Sequence, residues 1–117
     1  MGDELKQGNW QEFLLWLLRR RRRFRVTGNS MLPLLKPGEE VLIDPTAYRQ
    51  QRPQPGQIVV AQHPYQPTIR LVKRITAVLE DNQYMLVGEN PVESTDSRIF
   101  GPVTDRHIIG RVTSRFG

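Results

Sequence analysis

The sequence predicts a mainly β domain, a small and mostly antiparallel sheet with one helix at its N-terminal end. Three observations point there. Short runs rich in β-branched residues recur from residue 24 onward between turns that carry Gly and Pro. Two of these runs flank Glu80-Asp81-Asn82-Gln83, a β-hairpin pattern. Only the stretch before Arg19 repeats its apolar residues with helical spacing. A length of 117 residues fits one domain with a modest core.

The helix comes first. Trp10, Phe13, Leu14, Leu17 and Leu18 follow the i, i+3, i+4, i+7, i+8 template. Asn9 is a good N-cap, and Glu12 three residues later completes a capping-box pattern. The arginines that follow suit the negative end of the helix dipole. Leu15 and Trp16 lie off the stripe, so the helix is apolar around more than half its girth. The stripe is expected to pack on its own domain or on a second copy. Peripheral contact of residues 9–23 with a membrane interface is the alternative.

Strands are expected at Phe24–Thr27, Glu40–Asp44, Ile58–Gln62, Ile69–Leu79, Tyr84–Val87 and His107–Thr113. Residues 45–56 hold Pro45, Pro53, Pro55 and Gly56 and read as a surface loop. Gly88–Pro102 reads as an extended loop. The division is then an amphipathic helix with a basic flank over 1–23 and a catalytic domain over 24–117.

Composition narrows the chemistry. Without cysteine there are no disulfides, thiol nucleophiles or thiolate metal sites. His63 and His107 stand alone without metal-ligand spacing, so no metal or cofactor is expected. Net charge is +5, and Arg19–Arg23 supply five of the 17 basic residues. Aromatics interleaved with the basic residues are few (Phe24, Tyr48, Tyr65), so nucleic acid is not an expected partner. The longest apolar run, Phe13–Leu18, falls short of the ~20 residues of a membrane span. The arginines follow the apolar stretch, the reverse of a secretory signal. A cytoplasmic location is expected, with membrane-peripheral contact through the helix as the variant of it.

One lysine is out of place. Side chains alternate faces along a strand, so Ile69, Leu71, Lys73, Ile75, Ala77 and Leu79 share one face. Arg70, Val72, Arg74, Thr76 and Val78 take the other. Lys73 is the only charge on the apolar face. Burial disfavours its ammonium form, and a lysine made neutral in this way is a base able to activate a hydroxyl. The plain alternatives are a side chain that snorkels to the sheet edge or a bulge that changes the register. A hydroxyl is available in Thr27-Gly28-Asn29-Ser30-Met31-Leu32-Pro33, where turn-forming residues would fix Ser30 and present backbone N–H groups to an oxyanion.

These residues match a known family. Gly28-Asn29-Ser30-Met31-Leu32-Pro33 resembles the nucleophile box of signal peptidase I, and Lys73-Arg74 resembles its Lys-Arg box. Gly88-Glu89-Asn90, Ser94-Thr95-Asp96-Ser97-Arg98 and Gly101-Pro102-Val103 resemble its third box. Pro37-Gly38 and Pro55-Gly56, each leading into a strand, are also similar. The matches run from residue 26 to about 112. The resemblance implies a β-barrel-like catalytic domain and a serine endopeptidase working through a Ser-Lys dyad. Ser30 would be nucleophile and Lys73 general base. Ser94 would orient Lys73, and Asp96 and Arg98 would pair to hold the loop carrying Ser94. Met31, Leu32 and Pro33 are candidates for shaping the substrate pocket. Three positions depart from the family pattern. Gly28 stands where some members place an oxyanion-hole serine, Glu89 replaces the usual Asp, and Ala77 stands where a Gly-rich loop often follows.

The same resemblance suggests a partner, a precursor protein with an N-terminal leader. A short member without an evident anchor is similar to the maturation proteases of nickel-type superoxide dismutase, whose metal site uses the amine freed by cleavage. The alternative is a signal peptidase I acting on exported preproteins at a membrane surface. A self-cleaving repressor protease, a nucleic-acid-binding module and an inactive scaffold fit less well. No DNA-binding domain precedes the β region, no stacking motif is evident, and Ser30, Lys73 and Ser94 are all present.

Overall fold

The computed structural model describes residues 5–90, 92 and 95–116. Helix α1 (Trp10–Leu17) precedes the strands β1 (Arg22–Arg25), β2 (Glu40–Asp44), β3 (Ile58–Gln62), β4 (Arg70–Leu79), β5 (Gln83–Val87), β6 (Val103–Thr104) and β7 (Ile108–Arg115). A four-residue helix, α2 (Ser97–Phe100), lies between β5 and β6. All strands join one antiparallel sheet in the order β1-β2-β7-β3-β4-β5-β6, curled into a half-barrel. Register shifts at Leu42/Ile43, Val60/Ala61 and Ile75/Ala77 supply the curl, because a bulge bends its strand and sharpens the local twist.

The two faces of the sheet pack separate apolar clusters. Ile58 and Val60 of β3 meet Val26, Met31, Leu35, Val41 and Val72. Val59 and Ala61, pointing the other way, meet Ile75, Tyr84, Leu86, Phe100 and Val103. A strand buried on both faces reads as a continuous apolar run, and Ile-Val-Val-Ala is one.

Some boundaries differ from the sequence expectation. The first strand is Arg22–Arg25, not Phe24–Thr27, so the arginine run enters the sheet. It does so at an edge, where Arg23 and Arg25 reach Glu40 on β2 and charge is tolerated. Val103–Thr104, just past the expected loop Gly88–Pro102 and assigned to no strand, forms the opposite edge with β5. The hairpin turn Glu80–Asn82 is where it was expected, with Asp81 at φ 60° and Asn82 at φ 57°.

Of the placements expected for α1, packing of its stripe on its own domain is not found. Its apolar stripe faces solvent: Trp10 is 75% exposed, and Phe13, Leu14, Leu17 and Leu18 are exposed too. The buried residue of the helix is Glu12. Its carboxylate accepts from Thr113 Oγ1 at 2.6 Å, Ser114 Oγ at 3.2 Å and Arg21 Nε at 3.3 Å. Trp16, off the stripe, packs edge-on against Phe116 at 4.9 Å. A capping box needs the Glu12 carboxylate to turn back to the helix start, and here it points into β7 instead. Only half of that motif forms, with Asn9 Oδ1 accepting from the Glu12 N–H at 2.9 Å. The helix ends in a Schellman motif, in which Arg19 N–H donates to Trp16 O and Arg20 N–H to Leu15 O. Arg19 takes the left-handed conformation, φ 63°, where glycine is usual. Among the described residues no helix is long and apolar enough to cross a membrane.

Burial pushes the Glu12 carboxyl up, but the Thr113 hydroxyl, Arg21 and Ser114 outweigh it and hold the group below its ordinary 4.5. A carboxyl depressed in the folded state contributes stability above its unfolded value and loses it as pH falls through the folded one. Glu12→Ala should therefore cost about 2–3 kcal/mol at neutral pH, and the deficit should shrink below pH ~4. Denaturant titrations of both proteins at neutral and acid pH measure it. A pH-independent difference would mean that the carboxylate charge plays no part.

Candidate active site

Lys73 lies at the centre of β4, opposite Val59 of β3, on the face of the second apolar cluster. Continuing the β4–β5 register one residue past Arg74↔Val87 brings Gly88 against it. The lysine is 2% exposed. Burial pushes its pKa below the ordinary 10.5; the Asp96 carboxylate pulls the other way, and the Arg98 guanidinium adds to the depression. The alternation argument holds around Lys73, although Val72 on the other face is buried as well because the curled sheet is covered on both sides.

The loop beyond β5 holds this end of the sheet together. Asp96 is fully buried. Its carboxylate accepts from the Gly88 N–H at 2.9 Å, the Arg98 N–H at 3.1 Å, and Arg98 Nε and Nη2 at 3.0 and 2.8 Å. Asp96 and Arg98 thus form the ion pair read from the sequence, and Asp96 also caps α2. Ser94 lies outside the described residues. Ser97, to which the box resemblance assigns no role, is buried, and its Oγ accepts from the Leu86 N–H at 2.9 Å, satisfying a β5 donor beyond the reach of β6. Arg74, the second residue of the Lys-Arg pair, bridges Glu89 at 2.9 Å and the Gly56 carbonyl at 2.7 Å, so it ties β4 to the segment after β5. Glu89 keeps the carboxylate that the family's Asp would supply there.

Ser30 is half-buried in the turn after β1. Gly28 enters that turn at φ 75°, a conformation that suits glycine. The Ser30 carbonyl accepts from the Asn90 N–H at 2.8 Å, and the neighbouring Asn29 carbonyl accepts from Asn90 Nδ2 at 3.1 Å. Asn90 is two residues past Gly88, so the Ser30 turn is fastened beside the part of the sheet that flanks Lys73. Among the described residues the Ser30 N–H and Oγ make no hydrogen bond, to Lys73 or otherwise. Catalytic hydrogen bonds are often long in the free enzyme and tighten once substrate is bound. Of the pocket candidates, Met31 is a core residue of the first cluster, whereas Leu32 is half-buried and Pro33 exposed. Met31 anchors the turn from below.

The curled antiparallel sheet thus carries a buried lysine on β4 and a serine turn tied to the segment after β5. The model of the Peptidase S24-like family matches residues 20–113, from the arginine run to β7. The chain belongs to the Peptidase S24-like family. The match covers every strand of the sheet except the last two residues of β7. A mitochondrial ATP-independent inner membrane protease subunit 1b of Arabidopsis thaliana is similar as well, 33% identical over 110 residues. That likeness takes in 75% of this chain and 65% of the relative, so the chain spans less than two thirds of its length. Membership in a Peptidase S24-like family agrees with the serine-peptidase and signal-peptidase-like character read from the boxes. Among the described residues no cluster of His, Asp or Glu is arranged to hold a metal ion.

Proposed function

We propose that this chain is a serine endopeptidase that removes an N-terminal leader from a precursor protein, with Ser30 as nucleophile and Lys73 as general base. The observation that carries this reading is Lys73 itself, a lysine buried on an apolar sheet face beside the segment that fastens the Ser30 turn. Burial lowers its pKa below the ordinary 10.5, so the amine gives up its proton more readily than a lysine in water. Ser30 Oγ attacks the scissile carbonyl as Lys73 Nζ takes its proton. The tetrahedral oxyanion is met by the Ser30 N–H, which no backbone acceptor occupies among the described residues. Gly28 brings no side chain to that oxyanion, so a second donor comes from backbone or water. Lys73 then protonates the leaving amine, and water hydrolyses the acyl-enzyme by the same route in reverse. Ser94 is assigned to orienting Lys73 on the family resemblance.

Two substrate classes follow from different grounds. Resemblance to the maturation proteases of nickel-type superoxide dismutase supports a leader on that precursor. The name of the Arabidopsis relative, an inner membrane protease, supports a preprotein presented at a membrane surface. Both are tested by incubating each precursor, the second inserted in vesicles, with wild type, Ser30→Ala and Lys73→Ala, then sequencing the new N-terminus by mass spectrometry. Cleavage by wild type alone supports the dyad and assigns the substrate. Cleavage by all three proteins would overturn the assignment of Ser30 and Lys73.

A further inference from the structure

The outward stripe of α1 is an apolar face that the fold leaves uncovered. Trp10, Phe13, Leu14, Leu17 and Leu18 point to solvent over a helix of eight residues and its cap. Exposed apolar side chains scattered singly need no explanation, but five gathered on one helix face mark a contact surface. At its C-terminal end stand Arg19, Arg20 and Arg22, exposed and without an acidic partner among the described residues. Arg21 differs: it turns inward to Glu12 and Asp44. The buried Glu12 network fixes which side faces out, so the apolar stripe is held outward by the fold rather than left loose.

A second copy is a poor occupant. Eight residues make a helix about 12 Å long, and five side chains on it cover far less than the ~800 Å² per partner of a stable interface. A bilayer surface fits better. It needs only a short apolar face bordered by cations, and each arginine near an anionic headgroup layer contributes about 1 kcal/mol.

We propose that α1 docks this protein on anionic lipid, with the stripe inserted at the headgroup boundary and Arg19, Arg20 and Arg22 on the lipid phosphates. The docking is separate from catalysis, so Ser30→Ala should bind as the wild type does. The test is co-sedimentation of the full chain with phosphatidylcholine vesicles, with and without one-third phosphatidylglycerol, alongside sizing in solution. The wild type should sediment with the anionic vesicles and not with phosphatidylcholine alone. Leu14→Glu/Leu17→Glu should remain in the supernatant. Replacing Arg19, Arg20 and Arg22 by Gln should weaken binding about a hundredfold. All the altered side chains are exposed, and unchanged thermal unfolding would show that the variants fold. A wild type that stays in solution, or binding that survives the two glutamates, would overturn the proposal. So would a dimer in solution that the same two substitutions dissociate, since the stripe would then be covered by a second copy.

Discussion

Lys73→Met should abolish proteolysis while leaving the fold as stable as the wild type, or more so. Methionine fills a similar volume without a charge, and β4 keeps its pairing with β3 through Val59. On the proposed mechanism Lys73 is the general base, and its loss should cut kcat/KM by about 10³-fold or more. The stability effect runs the other way. Burial is the larger influence on Lys73 and the Asp96 attraction the smaller, so exchanging the charge for an apolar side chain should be about neutral or mildly stabilising. The pH dependence separates the two proteins. In the unfolded chain Lys73 holds its proton up to its ordinary 10.5; in the folded chain burial lowers that value. Between the two values the unfolded state binds the extra proton, so wild-type stability rises with pH across that interval. Below the folded value both states are charged and the full cost of burial is felt. The Met variant lacks this slope, and denaturant midpoints from pH 6 to pH 10 compare the curves. The rate constant of the wild type should climb with pH to a midpoint below 10.5. Parallel stability curves, with the rate midpoint near 10.5, would show a lysine that titrates as if in water.

Asp96→Ala should lower both stability and activity. The buried carboxylate satisfies the Gly88 N–H and caps α2 at the Arg98 N–H. Alanine leaves the Gly88 donor buried without an acceptor and removes the cap, together about 2–4 kcal/mol. For a domain of this size that is a fall in Tm of about 10 °C. Arg98 is half exposed, so its share in the ion pair adds little. Activity should fall in kcat more than in KM, because Gly88 flanks Lys73 and its segment leads through Asn90 to the Ser30 turn. Asp96→Asn separates charge from structure. It keeps an acceptor for one donor, so the stability loss should be smaller. Removing the Asp96 attraction lets the Lys73 pKa drop further, and the midpoint of the pH–rate profile should move down. An unchanged midpoint in the Asn variant would mean that Asp96 supports the loop without reaching the lysine.

Lys73 shows how much of the site a sequence can carry. Period-2 alternation put one charge on an apolar strand face, and the fold buries that charge without help from any box. The Ser30 turn and the Asp96–Arg98 pair came from resemblance, and the structure adds what ties them: Asn90 to the Ser30 carbonyl, Arg74 to Glu89, Ser97 to Leu86. These ties were illegible because each joins residues distant in sequence or serves a backbone donor, and neither leaves a periodic trace. Met31 shows what adjacency alone leaves open: it follows Ser30 in the chain, and its side chain belongs to the core cluster beneath the turn.

By itself the sequence determined a mainly β domain, a hairpin at Glu80–Asn82, a helix N-cap at Asn9 and a lone lysine on an apolar strand face. Those features rest on local chemistry: strand alternation, turn residues, a cap. Only the tertiary structure decided which way α1 faces. Sequence periodicity locates an apolar stripe but not what covers it. Here a carboxylate with three partners in the fold draws the opposite side inward, because a buried charge must be satisfied. The same holds for the arginine run. Its composition reads as a solvated flank, and pairing with β2 makes part of it the edge of the sheet.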